Sequence, residues 1–170
     1  RVIVMLVTAA TLALVLPGTL RGDERVFVSS DRLTLGTDAN LSASVRIADV
    51  DGDDDLDVLI ANGRHWPQQN FLMINHGRAR FSVQRPLGQE RRASYATEVA
   101  DLDGDGDLDI AVGNDMAPNC VLFNNGAGHF RQSADFGEIS SIRSLTLADI
   151  DADGDVDILA TCRGRRNQIY

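Results

Sequence analysis

The sequence predicts an all-β fold assembled from repeated four-stranded antiparallel units. Aspartate recurs at alternate positions in three nine-residue windows that begin at Asp49, Asp101 and Asp149. Each window stands between a segment of alternating polarity and a continuous apolar run, both of which are strand patterns. Fifteen Gly and only four Pro fit a turn-rich β protein better than a helical one.

The chain opens with an apolar stretch. Residues 2–16 are polar only at Thr8 and Thr11, with Arg1 before them and Pro17-Gly18 after them. A basic residue, a short apolar run and a turn form the layout of a secretory signal. Extended to Leu20, the stretch approaches the about 20 residues of a membrane span. Residues 1–20 are therefore expected to be a signal peptide or an N-terminal membrane anchor. That places the remainder in a secreted, periplasmic or cell-surface setting. Arg21-Gly22-Asp23 spells an adhesion tripeptide, and motifs this short arise readily by chance.

From residue 21 onward the chain is periodic. Asp49, Asp101 and Asp149 lie 52 and 48 positions apart. Before them stand Val45-Arg46-Ile47, Thr97-Glu98-Val99 and Leu145-Thr146-Leu147, each followed by Ala-Asp. After the windows come Val58-Leu59-Ile60-Ala61, Ile110-Ala111-Val112-Gly113 and Ile158-Leu159-Ala160. A third strand follows at 70–75 and at 119–124. Turns at His76-Gly77 and Asn125-Gly126 then lead into a fourth strand near Phe81 and Phe130, and Asn-Gly favours a two-residue hairpin. Four strands in about 50 residues is the size of one β-propeller blade. Blades are expected at 42–85, 95–133 and, truncated, 143–170. Residues 25–30, around Phe27, form a lone outer strand. Residues 21–170 thus read as a fragment of a β-propeller, an incomplete ring that needs the rest of its own chain to close.

The windows carry the chemistry. Acids occupy positions 1, 3, 5, 7 and 9 in all three: Asp49, Asp51, Asp53, Asp55 and Asp57; Asp101, Asp103, Asp105, Asp107 and Asp109; Asp149, Asp151, Asp153, Asp155 and Asp157. Two carboxylates about 5 Å apart repel by roughly 3 kcal/mol at an effective dielectric of about 20. A hard divalent cation converts that repulsion into attraction. Calcium accepts 6–8 oxygens in a flexible shell, whereas magnesium demands a tighter octahedron. With no His or Cys in the windows, zinc does not fit. One Ca2+ per loop, three in all, is the expectation. By analogy with calcium loops of this kind, positions 1, 3, 5 and 9 bind through carboxylates and position 7 through its backbone carbonyl. The side chains of Asp55, Asp107 and Asp155 would then face water. Position 6 requires a positive φ, which Gly106 and Gly154 supply freely and Asp54 at some cost, so the first loop should be the distorted one. An EF-hand is excluded, because position 12 is Ile60, Val112 or Ala160 instead of Glu and the flanks are strands.

Charge elsewhere points the other way. The windows hold sixteen of the 25 acidic residues, which leaves nine against sixteen arginines in a chain of net charge −9. Nucleic acid is disfavoured, since the windows repel phosphate. Cys120 and Cys162 allow at most one bridge and make no CxxC pair. No nucleophile–base–orienter set is visible, so no enzymatic activity is expected of these residues. His65, His76 and His129 fall in loops and turns. Trp66 sits in the connection between second and third strands. Arg163, Arg165 and Arg166 occupy the corresponding connection of the last unit.

Residues 48–62, 100–114 and 148–161 resemble the FG-GAP/VCBS repeats of integrin-alpha-type β-propellers, the second ("ADLDGDGDLDIAVGN") most closely. Asp54 and Ala152 depart from the pattern at positions usually Gly. The resemblance implies calcium in the loop joining the first and second strands of each blade. It also implies a secreted or cell-surface binding or adhesion module for an extracellular protein or glycan, with structural calcium. The alternative is an accessory propeller domain of a secreted polysaccharide-active hydrolase or lyase.

Overall fold

The computed structural model describes residues 35–36 and 39–170. The apolar stretch 1–20, the 21–23 tripeptide and the segment 25–30 expected to form a strand lie outside the described residues. Strands β1 (Ser42–Ala48), β2 (Asp57–Asn62), β3 (Gln68–Asn75) and β4 (Phe81–Arg92) form an antiparallel sheet in chain order. A second sheet runs through β5 (Ser94–Ala100), β6 (Asp109–Phe123), β7 (Arg131–Ala148), β8 (Asp157–Cys162) and β9 (Gln168–Ile169). No helix of the described residues is long and apolar enough to cross a membrane.

The second sheet contains two blades. The first half of β6 pairs with β5 and the second half with β7. Asp109 at one end of β6 accepts a hydrogen bond from the backbone of Asn124, just past the other end, at 2.9 Å. Fifteen extended residues would span about 50 Å, so the strand doubles back. It does so near Met116, which is left-handed at φ 54. Strand β7 is likewise shared. Its first part pairs with β6, and residues from Ile142 onward pair with β8. Only Ala93 separates β4 from β5. The outer strand of each blade therefore runs directly into the inner strand of the next.

Register repeats faithfully. Ala48 faces Asp57, Ala100 faces Asp109 and Ala148 faces Asp157, so each Asp loop closes on the same pair. Each inner strand is also bulged at the same place, between Ser42 and Ser44, Ser94 and Ala96, and Ile142 and Ser144.

The apolar cores lie between blades. Leu59, Leu72, Ile74 and Leu87 of the first blade pack on Ile110, Val112, Cys120 and Leu122 of the second. Ala96 and Ala111 of the second meet Ile142, Leu145, Ile158 and Ala160 of the third. Each fully buried Leu or Ile contributes about 1.5–3 kcal/mol, so blade contacts stabilise the stack more than any single sheet could. The windows take part as well. Position 2 is Val50, 2% exposed against the second blade, but Ile150 in the third loop is 50% exposed.

One local expectation is overturned, the two-residue hairpin at Asn125-Gly126. The connections at 76–80 and 124–130 are not two-residue hairpins, since Asn75 pairs with Phe81 and Phe123 with Arg131. In the first, Gly77, Arg78 and Ala79 are all left-handed, at φ 87, 58 and 54. In the second, the Asn125 side chain accepts from the backbone of Ala127 (3.2 Å) and His129 (3.3 Å), which holds a wider turn. Cys120 and Cys162 are both free thiols, in different inter-blade cores.

Candidate metal centres

Each loop curls around its first aspartate. Asp49 accepts from the backbone N–H of Gly52 (2.8 Å), Asp53 (3.2 Å) and Asp54 (3.0 Å). Asp101 accepts from Gly104 (2.8 Å) and Gly106 (3.0 Å), and Asp149 from Asp153 (3.2 Å) and Gly154 (3.1 Å). Position 5 then accepts from position 7 at 2.9 Å in every copy: Asp53 from Asp55, Asp105 from Asp107, Asp153 from Asp155. Short Asp side chains at alternate positions can do this because each reaches its own backbone two to five residues on.

The curl gathers carboxylates. One oxygen from each of Asp49, Asp51 and Asp53 lies within 4.8 Å of the others, and likewise for Asp101, Asp103 and Asp109, and for Asp149, Asp151 and Asp157. These three oxygen-only clusters can each hold a metal ion. The remaining predicted ligands, Asp55, Asp57, Asp105, Asp107, Asp153 and Asp155, stand outside these groupings. Charge accumulation is felt electrostatically. Burial, followed by repulsion from Asp53 and Asp49, raises the pKa of Asp51 above the usual carboxylate range, against the opposing pull of Arg85. Burial also raises Asp103, with Asp105, Asp109 and Asp101 adding to it. Asp51 Oδ1 is shielded from solvent and has no hydrogen-bond donor among the described residues, a lone pair suited to a cation.

Position 9 has a structural task that spacing alone did not reveal. Asp57 is fully buried. Its two oxygens accept from the backbone of Val50 (3.2 Å) and Asn75 (2.8 Å). Asp109 repeats this with Leu102 and Asn124, both at 2.9 Å, and Asp157 accepts from Ile150 at 2.8 Å. Burial raises the pKa of Asp57, while those two N–H bonds oppose the rise. The carboxylate thus pins the loop to the end of the third strand.

A recurring set of asparagines completes the frame. The backbone N–H of Asn62 donates to the side-chain oxygen of Asn70 (2.8 Å), that of Asn114 to Asn119 (2.9 Å) and that of Cys162 to Asn167 (3.2 Å). Ser42 and Ser94 donate to Asn62 and Asn114, both at 2.8 Å. Asn70 crosses between blades to Ser94 at 2.8 Å. In the sequence Asn62 and Asn114 share an offset from their windows, and Cys162 takes that place in the third unit.

Positions 4, 6 and 7 correct the expected picture. Asp54 is left-handed at φ 68, as anticipated, but Ala152 is also left-handed at φ 62. Strain is therefore shared by the first and third loops, and only the second has Gly at both places. The Asp55 and Asp107 side chains do not face open water. They lie against the turns at Gly77 and Gly126, where a Cβ would come within 3.2 Å of Asp55 and 2.8 Å of both Asp107 oxygens. Asp155 is exposed.

Blades with a carboxylate-rich loop between first and second strands define a class of repeat protein. A family model described as FG-GAP-like repeat matches residues 49–112 and again 101–160, and the chain belongs to that family. Each match runs from one Asp loop to the apolar strand beyond the next. The comparison with curated proteins found no match.

Proposed function

We propose that this chain is a calcium-stabilised binding module that works outside the cytoplasm, with no catalytic role of its own. The observation that carries the reading is the convergence of three carboxylates in each of three equivalent loops. Ca2+ suits them because every side chain in reach is an oxygen donor, the ligand type this cation takes. Asp49, Asp51 and Asp53 would hold it in the first loop, Asp101, Asp103 and Asp109 in the second, and Asp149, Asp151 and Asp157 in the third. The ion supplies neutralising charge. The chain supplies the curl, through the first aspartate of each loop, and the link to neighbouring strands, through the ninth. The family membership and the apolar stretch at 1–20 support display at a surface or in an envelope.

Calorimetric melting with calcium or with chelator tests this. A site saturated at a hundred times its Kd contributes about 2.7 kcal/mol, so chelation should lower the Tm, and Asp101→Ala should reproduce part of the drop. Identical melting curves in both conditions would remove calcium from the account.

A further inference from the structure

We infer that the end of the blades remote from the Asp loops docks an anionic saccharide, a sugar chain bearing carboxylate or sulfate. The inference rests on the reading of the chain as a binding module and is independent of which ion the loops hold. Three equivalent turns build this end. The backbone N–H of Gly63 donates to Leu41 (3.0 Å), that of Asp115 to Ala93 (2.8 Å) and that of Arg163 to Ser141 (2.8 Å). These contacts sit where the inner strands begin, while the Asp loops leave from where they end.

The turns present large side chains to water on a strained backbone. His65 and Met116 are left-handed at φ 77 and 54, a conformation that L residues hold only under constraint and that clusters at functional sites. Trp66 is 70% exposed and Met116 72%. The three blades are joined here by a continuous array. His65 Nδ1 lies 3.0 Å from the Tyr95 hydroxyl, and the Arg143 guanidinium lies 4.2 Å over the Tyr95 ring. Arg143 also reaches toward Asp115 at 3.7 Å. An aromatic and cationic surface held rigid before binding loses little freedom on binding.

Charge selects the ligand. Asp115 is the sole acid in the turns 63–67, 115–118 and 163–167, which also carry Arg64, Arg163, Arg165 and Arg166. Arg165 is paired with Glu138 at 2.9 Å; among the described residues no carboxylate pairs with Arg64, Arg163 or Arg166. Guanidinium forks take carboxylate or sulfate bidentately, and an exposed indole offers its face to the C–H side of a sugar ring.

Trp66 is the single tryptophan of the chain, so its fluorescence reports on this surface directly. The calcium-loaded protein is titrated with a short uronate oligosaccharide, a sulfated oligosaccharide and the carboxyl-reduced neutral form of the first. A saturable blue shift is expected with one or both anionic probes, weakened by salt, and absent with the neutral one; which probe binds tighter identifies the anionic group. Arg163→Gln with Arg166→Gln should raise Kd about fivefold. Trp66→Ala, followed by calorimetry, should raise it about tenfold. Melting temperatures should stay unchanged. No spectral response to either anionic probe, equal binding of the neutral form, or full affinity in both variants would overturn the inference. Equal binding of polyglutamate or single-stranded DNA with the same variant dependence would assign the surface to that partner instead. A failure of the calcium reading would appear in the chelator melts and leave this titration intact.

Discussion

Asn124 donates its side-chain amide to the backbone carbonyl of Val50, 2.8 Å away and 74 residues earlier in the chain. The same amide reaches the Leu108 carbonyl at 3.0 Å, and the Asn124 backbone donates to Asp109 at 2.9 Å. One residue therefore ties the Asp loop of the first blade to the loop and third strand of the second. Among the described residues its counterpart Asn75 bonds only within its own blade, to Leu56 (3.1 Å) and Asp57 (2.8 Å), and its side-chain oxygen has no partner there.

Asn124→Ala should cost about 2–3 kcal/mol, because it strands a buried carbonyl in each of two blades. Asn75→Ala should cost about 1 kcal/mol. Urea denaturation in saturating calcium measures both, and equal losses would show that the cross-blade bond carries no weight.

Positions within one Asp loop should separate by role. Asp109→Asn leaves one oxygen to serve two backbone N–H groups, so about 1–3 kcal/mol should be lost even in chelator. Asp103→Asn keeps an acceptor for the Asp105 N–H but loses a carboxylate of the proposed calcium set, so it should act only when calcium is present. Denaturation of both variants with and without calcium decides; parallel behaviour would contradict the split.

Left-handed non-glycine residues mark places where stability can be gained. Ala152→Gly removes a strain of roughly 1–2 kcal/mol against a smaller rise in unfolded-chain entropy, and should raise the Tm. Gly106→Ala imposes the same strain in the second loop and should lower the Tm by a similar amount. A thermal melt of each variant checks the pair.

How much of this was legible beforehand follows from what repeats locally. Period-two segments and the Ala-Asp boundary located β1, β5 and the end of β7, because side-chain alternation is written in the chain itself. The curl of the loops followed from Asp spacing. The turn at Asn125-Gly126 did not, because Asn125 spends its side chain on Ala127 and His129 and leaves the tight-turn geometry. The double duty of Asp57 and Asp109 was also hidden, since their partners Asn75 and Asn124 are 18 and 15 residues away. The Tyr95–Arg143 stack joins two blades, and no local pattern encodes it.

Acid should affect the metal-free and metal-loaded protein in opposite directions. Asp51 and Asp57 have pKa values raised on folding, so the folded state holds their protons more tightly than the unfolded one. Without metal, their contribution to stability is greatest when they are protonated. It falls as pH rises from the ordinary Asp range through the raised values, and is constant above them. Calcium requires the deprotonated form, so its affinity should weaken as pH drops through the same interval. Melts across pH 3 to about 7, with chelator and with calcium, should show the gap between the two curves closing on the acid side. A gap independent of pH would contradict this.

Strand β7 serves two blades without a break, and Ala93 alone separates β4 from β5. An insertion at either junction would push two sheets out of register together, whereas the connection at 63–67 already holds more residues than the reversal near Met116. Length variation among such repeats is thereby channelled to the turns, where new surface can be added while the junctions keep their spacing.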